Sequence, residues 1–406
     1  MAAACRLGST GSHPVVAAKR QLPNNQHTPS ILRLANLHDH RITLAVSAPS
    51  VLACGAWLKN TICLTQHNQA YISPLVGDLS TIDARSRLDR TVESMCRKYS
   101  IPPVVVAHDL HPDFYSTQFA YAFAQQLNIP TLAVQHHHAH IAAICAEHQL
   151  QQPVLGLALD GIGLGTDNTP WGGELLWVDG ARFMRLGHLT TLALPGGDRA
   201  AQEPWRMAAA ALARLNRGYE IVQRFANQPA AETVAVMLAS NLNCPQTSSM
   251  GRLFDAATGL LGISSIQVHE AQAAMQLQHL AEQYGPVHAL TEGYQITENN
   301  NLDFSSLLSA LIDCHDEKYD HAYAAALFHT TVAAGLAAWV EKAAYQYEVT
   351  HVALGGGCFH NALLRHDLTH RLAEKSLHIH NPQQLPPDDS AIALGQAWIA
   401  LHHNRL

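Results

Sequence analysis

The sequence predicts an α/β fold built on a parallel sheet, and three stretches carry that prediction. Apolar runs and amphipathic segments alternate from residue 104 to 160, the order in which strand–helix–strand units lay down parallel strands. Pro153 to Asp160 is a mostly apolar run that ends in an acid and opens into Gly161, Gly163 and Gly165. That order is expected of a buried strand whose C-terminal end reaches a ligand. A similar order returns at Val352-Ala353-Leu354, the triplet Gly355-Gly356-Gly357 and a helical pattern over 362–373, consistent with a duplicated nucleotide-binding unit.

Taken in order, residues 1–48 show turn and linker chemistry (Gly8 to Ser12, Pro23-Asn24-Asn25) and read as an extended or disordered arm. Val51 to Trp57 and Ile62 to Thr65 read as a hairpin with Lys59 near its turn, where it either reaches an anionic ligand or is simply exposed. Residues 80–99 look helical. Val104 to Ala107 is a buried strand ending in the polar cluster His108 to Asp113, which reads as a capping loop for a helix over 116–127. Pro130 to Val134 is a short strand, and 137–149 has the apolar spacing of a helix.

Between those two elements stands Gln135-His136-His137-His138-Ala139-His140. On a helix, His136 and His140 share one face about one turn apart. Two imidazoles so placed can bind one cation. His137 and His138 point elsewhere and are expected to support that pair or to cover it as a lid. Asp160 is placed to ligate the cation or hold its water, and the three glycines after it let backbone N–H groups approach phosphate oxygens.

Beyond Asp160, Gly172 to Val178 and Arg182 to Leu186 read as a hairpin, and Leu194 to Asp198 as a rigid loop. Residues 201–340 are mainly an alanine- and leucine-rich helical pattern, interrupted by a polar excursion at 293–305. Within it Arg252 either pairs with Asp255 or meets a ligand. A long helix is expected over 320–346. Asp388 and Asp389 precede a last helix over 391–401, either as caps or as carboxylates returned to the histidines.

Composition sets the bounds. The chain has 406 residues, enough for two or three packed units, and at 48% hydrophobic and 14% charged it can bury a large core. A formal charge of −7, with 27 histidines, argues against a general nucleic-acid binder. The eight cysteines are scattered with no C-x-x-C, so no zinc ribbon or disulfide scaffold is implied, and free thiols suit a reducing cytoplasm. There is no apolar run of membrane-spanning length and no signal-peptide core. The histidine pair lacks the glutamate of H-E-x-x-H, which argues against a metalloprotease.

The strings VQHHHAH, ALDGIGLGTDNTPWGGE, LPGGDRAAQEPWRMA, SSMGRLFDA, ALGGGCFHN and PPDDSAIALGQAW occur in the order found in HypF, the carbamoyltransferase of nickel-iron hydrogenase maturation. ACGAWLKNTICL, GDL and AHDLHPDFYST also resemble its segments. The likeness runs from about 50 to 404 and covers the C-terminal transferase domain, which is similar to the tRNA threonylcarbamoyl transferase TsaD and to antibiotic O-carbamoyltransferases. It implies the actin-like ATPase (sugar kinase, heat-shock protein) fold of two ribonuclease-H-like lobes. The first lobe would span 49–152. The second would span 153–406, with a helical insertion at about 200–320 and a C-terminal helix returning to the cleft.

The resemblance further implies His136, His140, Asp160 and Asp389 as ligands of iron or zinc. It implies Gly161, Gly163, Gly165, Gly356, Gly357 and Asn361 as the cradle for the ATP/AMP moiety of carbamoyl-adenylate. Lys59 and Arg252 would contact carbamoyl or phosphate groups. The implied acceptor is the C-terminal cysteine of HypE. The acylphosphatase, zinc-finger and YrdC-like domains of full-length HypF have no counterpart here, so a YrdC-like supplier acting in trans is expected, with neither nucleic acid nor membrane as partner. Acceptors other than HypE would be a small-molecule hydroxyl or tRNA, the latter disfavoured by the acidic balance. A non-catalytic nucleotide- and metal-binding scaffold is the reading from a different class. Three positions depart from the family pattern: Ala271 stands where glycine is usual, Ser390-Ala391 replaces a glycine pair, and His360 replaces glutamine.

Overall fold

The computed structural model describes residues 39–403, which form two lobes, each built on a five-stranded sheet. Residues 1–38 of the arm expected over 1–48 lie outside the described residues. Its last part is corrected: β1 (His40–Ala48) is a sheet strand. Ile42, Leu44 and Val46 alternate inward and are buried, the period-2 pattern of a strand with one face on the core.

In the first lobe β1 pairs with β3 (Cys63–Ile72), which pairs with β2 (Val51–Ala53); all three are antiparallel. β4 (Val105–Asp109) and β5 (Thr131–Val134) then add in parallel to β2. Helices α1 (Ile82–Tyr99) and α2 (Tyr115–Leu127) make the connections. Thr81 caps α1 by accepting from the Ala84 N–H. α3 (His136–Glu147) leaves β5 at once, with the Gln135 side chain accepting from the His138 N–H, and is buried along its whole length.

The second sheet repeats this plan. β6 (Val154–Leu164), β7 (Pro170–Asp179) and β8 (Arg182–His188) are antiparallel. The two-residue pairs β9 (Leu192–Ala193) with β10 (Gln246–Thr247), and β11 (Gln295–Ile296) with β12 (Leu302–Asp303), lie outside it. β13 (His351–Gly355) and β14 (His378–His380) add in parallel to β6. Strand order β8-β7-β6-β13-β14 therefore matches β1-β3-β2-β4-β5 in direction, place for place. Two such ribonuclease-H-like sheets are the core of the actin-like ATPase fold.

Between β8 and β13 lies a helical body: α4 (Arg199–Gln202), α5 (Pro204–Arg214), α6 (Ile221–Arg224), α7 (Ala231–Ser240), α8 (Met250–Leu260), α9 (Gln272–Tyr284), α10 (Ser305–Asp316) and α11 (His321–Tyr347). α11 runs 27 residues and is apolar enough to cross a bilayer, a length that uninterrupted apolar runs do not reveal. Most of it is buried, with Phe328, Leu336, Trp339 and Val340 in the second lobe's core. α12 (Ala362–Ala373) and α13 (Ile392–His403) complete the described chain.

α13 crosses α3 between the lobes. A Cβ on Gly395 would lie 1.8 Å from the Ala139 carbonyl oxygen, so only glycine permits this approach. Apolar residues of both helices share one core with β1, β2 and β7. The helix that carries the histidines is therefore fixed from both lobes.

Candidate metal centre

β4, β5 and β6 bring their C-terminal ends to one edge, where α3 starts. His136 and His140 lie on one face of α3, at most 2% exposed. Their Nε2 atoms converge on two acids. Asp160 Oδ2 is 3.3 Å from His136 Nε2 and 3.5 Å from His140 Nε2. Asp389 Oδ1, from the turn before α13, is 3.5 Å and 3.6 Å from the same atoms. All four ligand atoms lie within 4.8 Å of one another.

The donor set fits a transition-metal ion. Neither histidine Nε2 makes a hydrogen bond although both are buried, so their lone pairs lack a partner within the chain. Two imidazoles and two carboxylates suit zinc or iron. A tetrahedral site with bonds of about 2.0–2.1 Å has ligand–ligand edges of about 3.4 Å, the spacing seen on the four histidine–aspartate edges.

Asp109, at the end of β4, completes the electrostatics. Its Oδ2 accepts from His136 Nδ1 at 2.8 Å, and its Oδ1 accepts from the His111 N–H at 2.9 Å. The first bond fixes the His136 tautomer, leaving the Nε2 lone pair for a cation. Burial alone would lower the His136 pKa, but Asp389 and Asp109 overcome it and hold it well above the usual range. Burial likewise opposes a charge on His140, and Asp160 and Asp389 hold its pKa up. Burial would raise Asp160, whose pKa His136 and His140 hold well below the usual range. Three carboxylates, two buried and Asp389 partly buried, face two imidazoles, a surplus of negative charge that a divalent cation would offset.

A cleft of about 600 Å³ opens beside Asp160 and Asp389, with Gly161, Arg252, Glu270 and Ala271 in its walls. Ser249 places Arg252: its Oγ accepts from the Arg252 N–H at 3.1 Å and also donates to the Gly161 carbonyl, tying the start of α8 to β6 beside Asp160. Arg252 pairs with buried Asp255 at 2.7 Å while still facing the cleft. Lys59 crosses from the first lobe to Glu270 at 3.1 Å and Asp388 at 3.6 Å. Burial opposes its charge, and these acids outweigh burial, so it stays a cation.

Several expectations need correction. His137 and His138 are not a lid. His137 is buried against Trp171, and His138 bonds the Gly180 carbonyl at 3.1 Å and packs on Phe183. Gly163 and Gly165 do not face the cleft. A Cβ on Gly163 would lie 2.8 Å from the His136 and His137 rings, and one on Gly165 would lie 2.1 Å from Trp171 Nε1. Their bare backbone admits side chains of this chain. Asn361 caps α12 through the Leu364 N–H and holds His329 at 3.0 Å, so its amide is engaged away from the cleft. Gly356 takes φ +102° where β13 meets Leu159, and the Gly357 N–H donates to Asp160 Oδ1 at 3.0 Å, so this turn orients a ligand. Of the six residues expected to cradle a nucleotide, Gly161 lines the cleft.

Asp109, Asp388 and Glu270 are the site residues that sequence reasoning missed or left as caps. The signal for Asp109 was available: it stands at the C-terminal end of the parallel strand β4, and such strand ends gather ligands in α/β folds. Ala271 sits at φ +59°, a left-handed conformation that explains why glycine is usual at that position. His360 bonds Asp388 at 2.8 Å. The Cys358 thiol, near the site, is pushed well above its usual pKa by burial and by Asp160, so it stays protonated.

Residues 156–396 match the family described as "Carbamoyltransferase, Kae1-like Domain, second subdomain", and residues 46–147 match the HypF Kae1-like domain. The chain is 47% identical to carbamoyltransferase HypF2 of Cupriavidus necator over 401 residues, covering 92% of this chain and 49% of that protein. It is 49% identical to a carbamoyltransferase HypF homolog of the same organism over 358 residues, covering 86% of this chain and 91% of that protein. A crystal structure of full-length HypF in the phosphate- and nucleotide-bound form aligns with a TM-score of 0.83 at 32% identity, covering 89% of this chain and 48% of that one. The chain thus spans about half the length of two of these three proteins.

Proposed function

The chain belongs to the HypF carbamoyltransferase family, and from that premise we propose that it transfers a carbamoyl group from carbamoyl-adenylate to the C-terminal cysteine thiolate of HypE. A YrdC-like protein would make the donor, and the thiocarboxamide product would be the precursor of the hydrogenase cyanide ligand. The observation that carries this reading is the four-ligand cluster set against a cleft of about 600 Å³, a size that suits a nucleotide-bearing donor.

His136, His140, Asp160 and Asp389 would hold zinc or iron. The chemistry a bound ion supplies there is Lewis-acid polarisation of a carbamoyl or phosphate oxygen. The residues of the chain do the rest. Asp109 keeps His136 in the ligating tautomer. The cleft wall at Gly161 admits the donor close to Asp160, and Arg252 and Lys59 offset charge on its phosphate. The HypE thiolate attacks the carbamoyl carbon, a C–S bond forms, and the C–O bond to phosphate breaks with its electron pair leaving on AMP. The chain's own buried thiols stay protonated: burial pushes Cys145 up to about 12. Among the described residues no thiol is therefore poised as the acceptor sulfur.

The test mixes metal-loaded chain, separately made carbamoyl-adenylate and HypE, and reads the mass of HypE. A gain of one carbamoyl group, lost in His136→Ala and Asp389→Ala, is expected. No gain while nucleotide and HypE still bind would replace the transferase reading with a scaffold. No binding of HypE would point to a small-molecule acceptor.

A further inference from the structure

The acid that closes the metal cluster, Asp389, comes from a loop far along the chain, and that loop is gripped by α3 itself. Glu147 is the last residue of α3 and is 8% exposed. Its Oε2 accepts from the N–H groups of Gln383 at 2.7 Å and Gln384 at 3.3 Å, and its Oε1 accepts from the Leu385 N–H at 2.7 Å. Three successive amides thus close on one carboxylate. Beside it, His148 Nε2 donates to the Asn381 carbonyl at 2.8 Å.

Helical geometry ties this grip to the ligands. At 100° per residue, positions 136, 140 and 147 fall within about 40° of one another around α3. One face of one helix therefore carries both imidazoles and the clamp. The chain then runs from Leu385, which is buried, through Pro386 and Pro387 to Asp388 and Asp389. Each proline fixes its own φ near −65°, so the position of the clamped turn is passed on with little slack. The Pro387 carbonyl accepts from the Gly356 N–H at 3.0 Å, which steadies the far end of this arm. A buried carboxylate is costly unless its hydrogen bonds are satisfied. Burial holds the Glu147 carboxyl above its usual pKa, and the three amides offset part of that rise.

We propose that Glu147 is a positioning residue of the metal centre: it clamps the Gln383–Leu385 turn to α3 so that Asp389 meets His136 and His140. The proposal rests on the metal reading given above and adds to it the device that brings the fourth ligand home. It acts through Asp389 and touches neither ion nor substrate.

Zinc affinity, measured by competition with a chromophoric chelator on the full chain, tests it in the parent, Glu147→Gln, Asp389→Asn and the double variant. Glutamine offers one oxygen where the turn needs two, and its NH₂ meets an N–H. Glu147→Gln is expected to weaken zinc binding about 10–100-fold, the loss usual for residues that orient ligands, with the thermal midpoint of the metal-free chain held within a few degrees. Because the two residues act as one unit, the double variant should bind no more weakly than Asp389→Asn. Affinity within about threefold of the parent in Glu147→Gln overturns the proposal, as does a full additional loss in the double variant. A parent that binds zinc no better than Asp389→Asn and His136→Ala overturns the metal reading and the proposal together. Should Glu147→Gln fail to fold, hydrogen exchange on the parent decides: zinc should slow exchange of residues 383–385, and unchanged rates overturn the proposal.

Discussion

Replacing Asp109 by asparagine probes the metal centre at a residue that would not touch the cation. The outcome is fixed by two hydrogen bonds. Oδ1 of Asp109 accepts from the His111 N–H at 2.9 Å, and Oδ2 accepts from His136 Nδ1 at 2.8 Å. Asparagine has one oxygen, and the backbone N–H of His111 requires it, so the NH₂ group must face His136. Nδ1 then becomes the acceptor and the imidazole proton moves to Nε2. That N–H would point at Asp160 and Asp389, 3.3 Å and 3.5 Å away, in place of a lone pair for the metal. Loss of a carboxylate behind a ligating histidine costs about 10–100-fold in affinity, or about 1.4–2.8 kcal/mol at about 1.4 kcal/mol per decade. Zinc titration of Asp109→Asn against a chromophoric chelator should show that loss, with the metal-free chain still folded by circular dichroism. Affinity within threefold of the parent would refute the tautomer reasoning and remove Asp109 from the site.

Two further outcomes follow from packing and titration. Gly163→Ala would drive a Cβ to 2.8 Å from the His136 and His137 rings, both locked in place, and should destabilise the chain by about 1–3 kcal/mol in urea unfolding while weakening zinc binding. His329 donates from Nδ1 to the Ala325 carbonyl and accepts at Nε2 from Asn361, and burial pushes its pKa down to about 4. Its folded pKa lies below the unfolded value of about 6.5, so its neutral form contributes stability that is present above about pH 6.5 and lost as pH falls toward 4. Unfolding free energy should therefore drop by up to about 1.4 kcal/mol per pH unit in that window, and His329→Gln should flatten the slope; an identical slope in the variant would show that His329 does not titrate there.

Much of the architecture is legible in the sequence because it is written in periodicity. Alternating strand and helix patterns mark the parallel units, and the four-residue spacing of His136 and His140 puts both on a shared helix face. β1 is also legible, since Ile42, Leu44 and Val46 alternate, but polar partners and a turn-rich approach mask it. Glycines are the hardest to read. Gly161 and Gly163 are two residues apart, yet a Cβ on the first meets open space and on the second meets two imidazole rings. Sequence shows that a side chain is missing and not what fills the space. Asp109 and Glu147 escape notice for a related reason. Each works through contacts across the chain: the strand pattern marks Asp109 as a strand end without naming His136 as its partner, and the helix pattern does not report the grip of Glu147. Asp389 is reached through the family resemblance, because an acid before a helix is equally a cap.

The order of the ligands along the chain has a consequence for biosynthesis. Two come from the end of the first lobe and one from the first strand of the second. The last arrives more than two hundred residues later, just before the final helix, whose Gly395 lies against Ala139. While the chain is being made, the first three ligands emerge early and stand without their fourth and without α13 to cover α3. A ribosome-bound chain should therefore hold metal weakly until the segment carrying Asp389 and α13 has emerged. Metal capture waits on that segment, and a chain cut short after β13 would carry the histidines without the means to retain an ion.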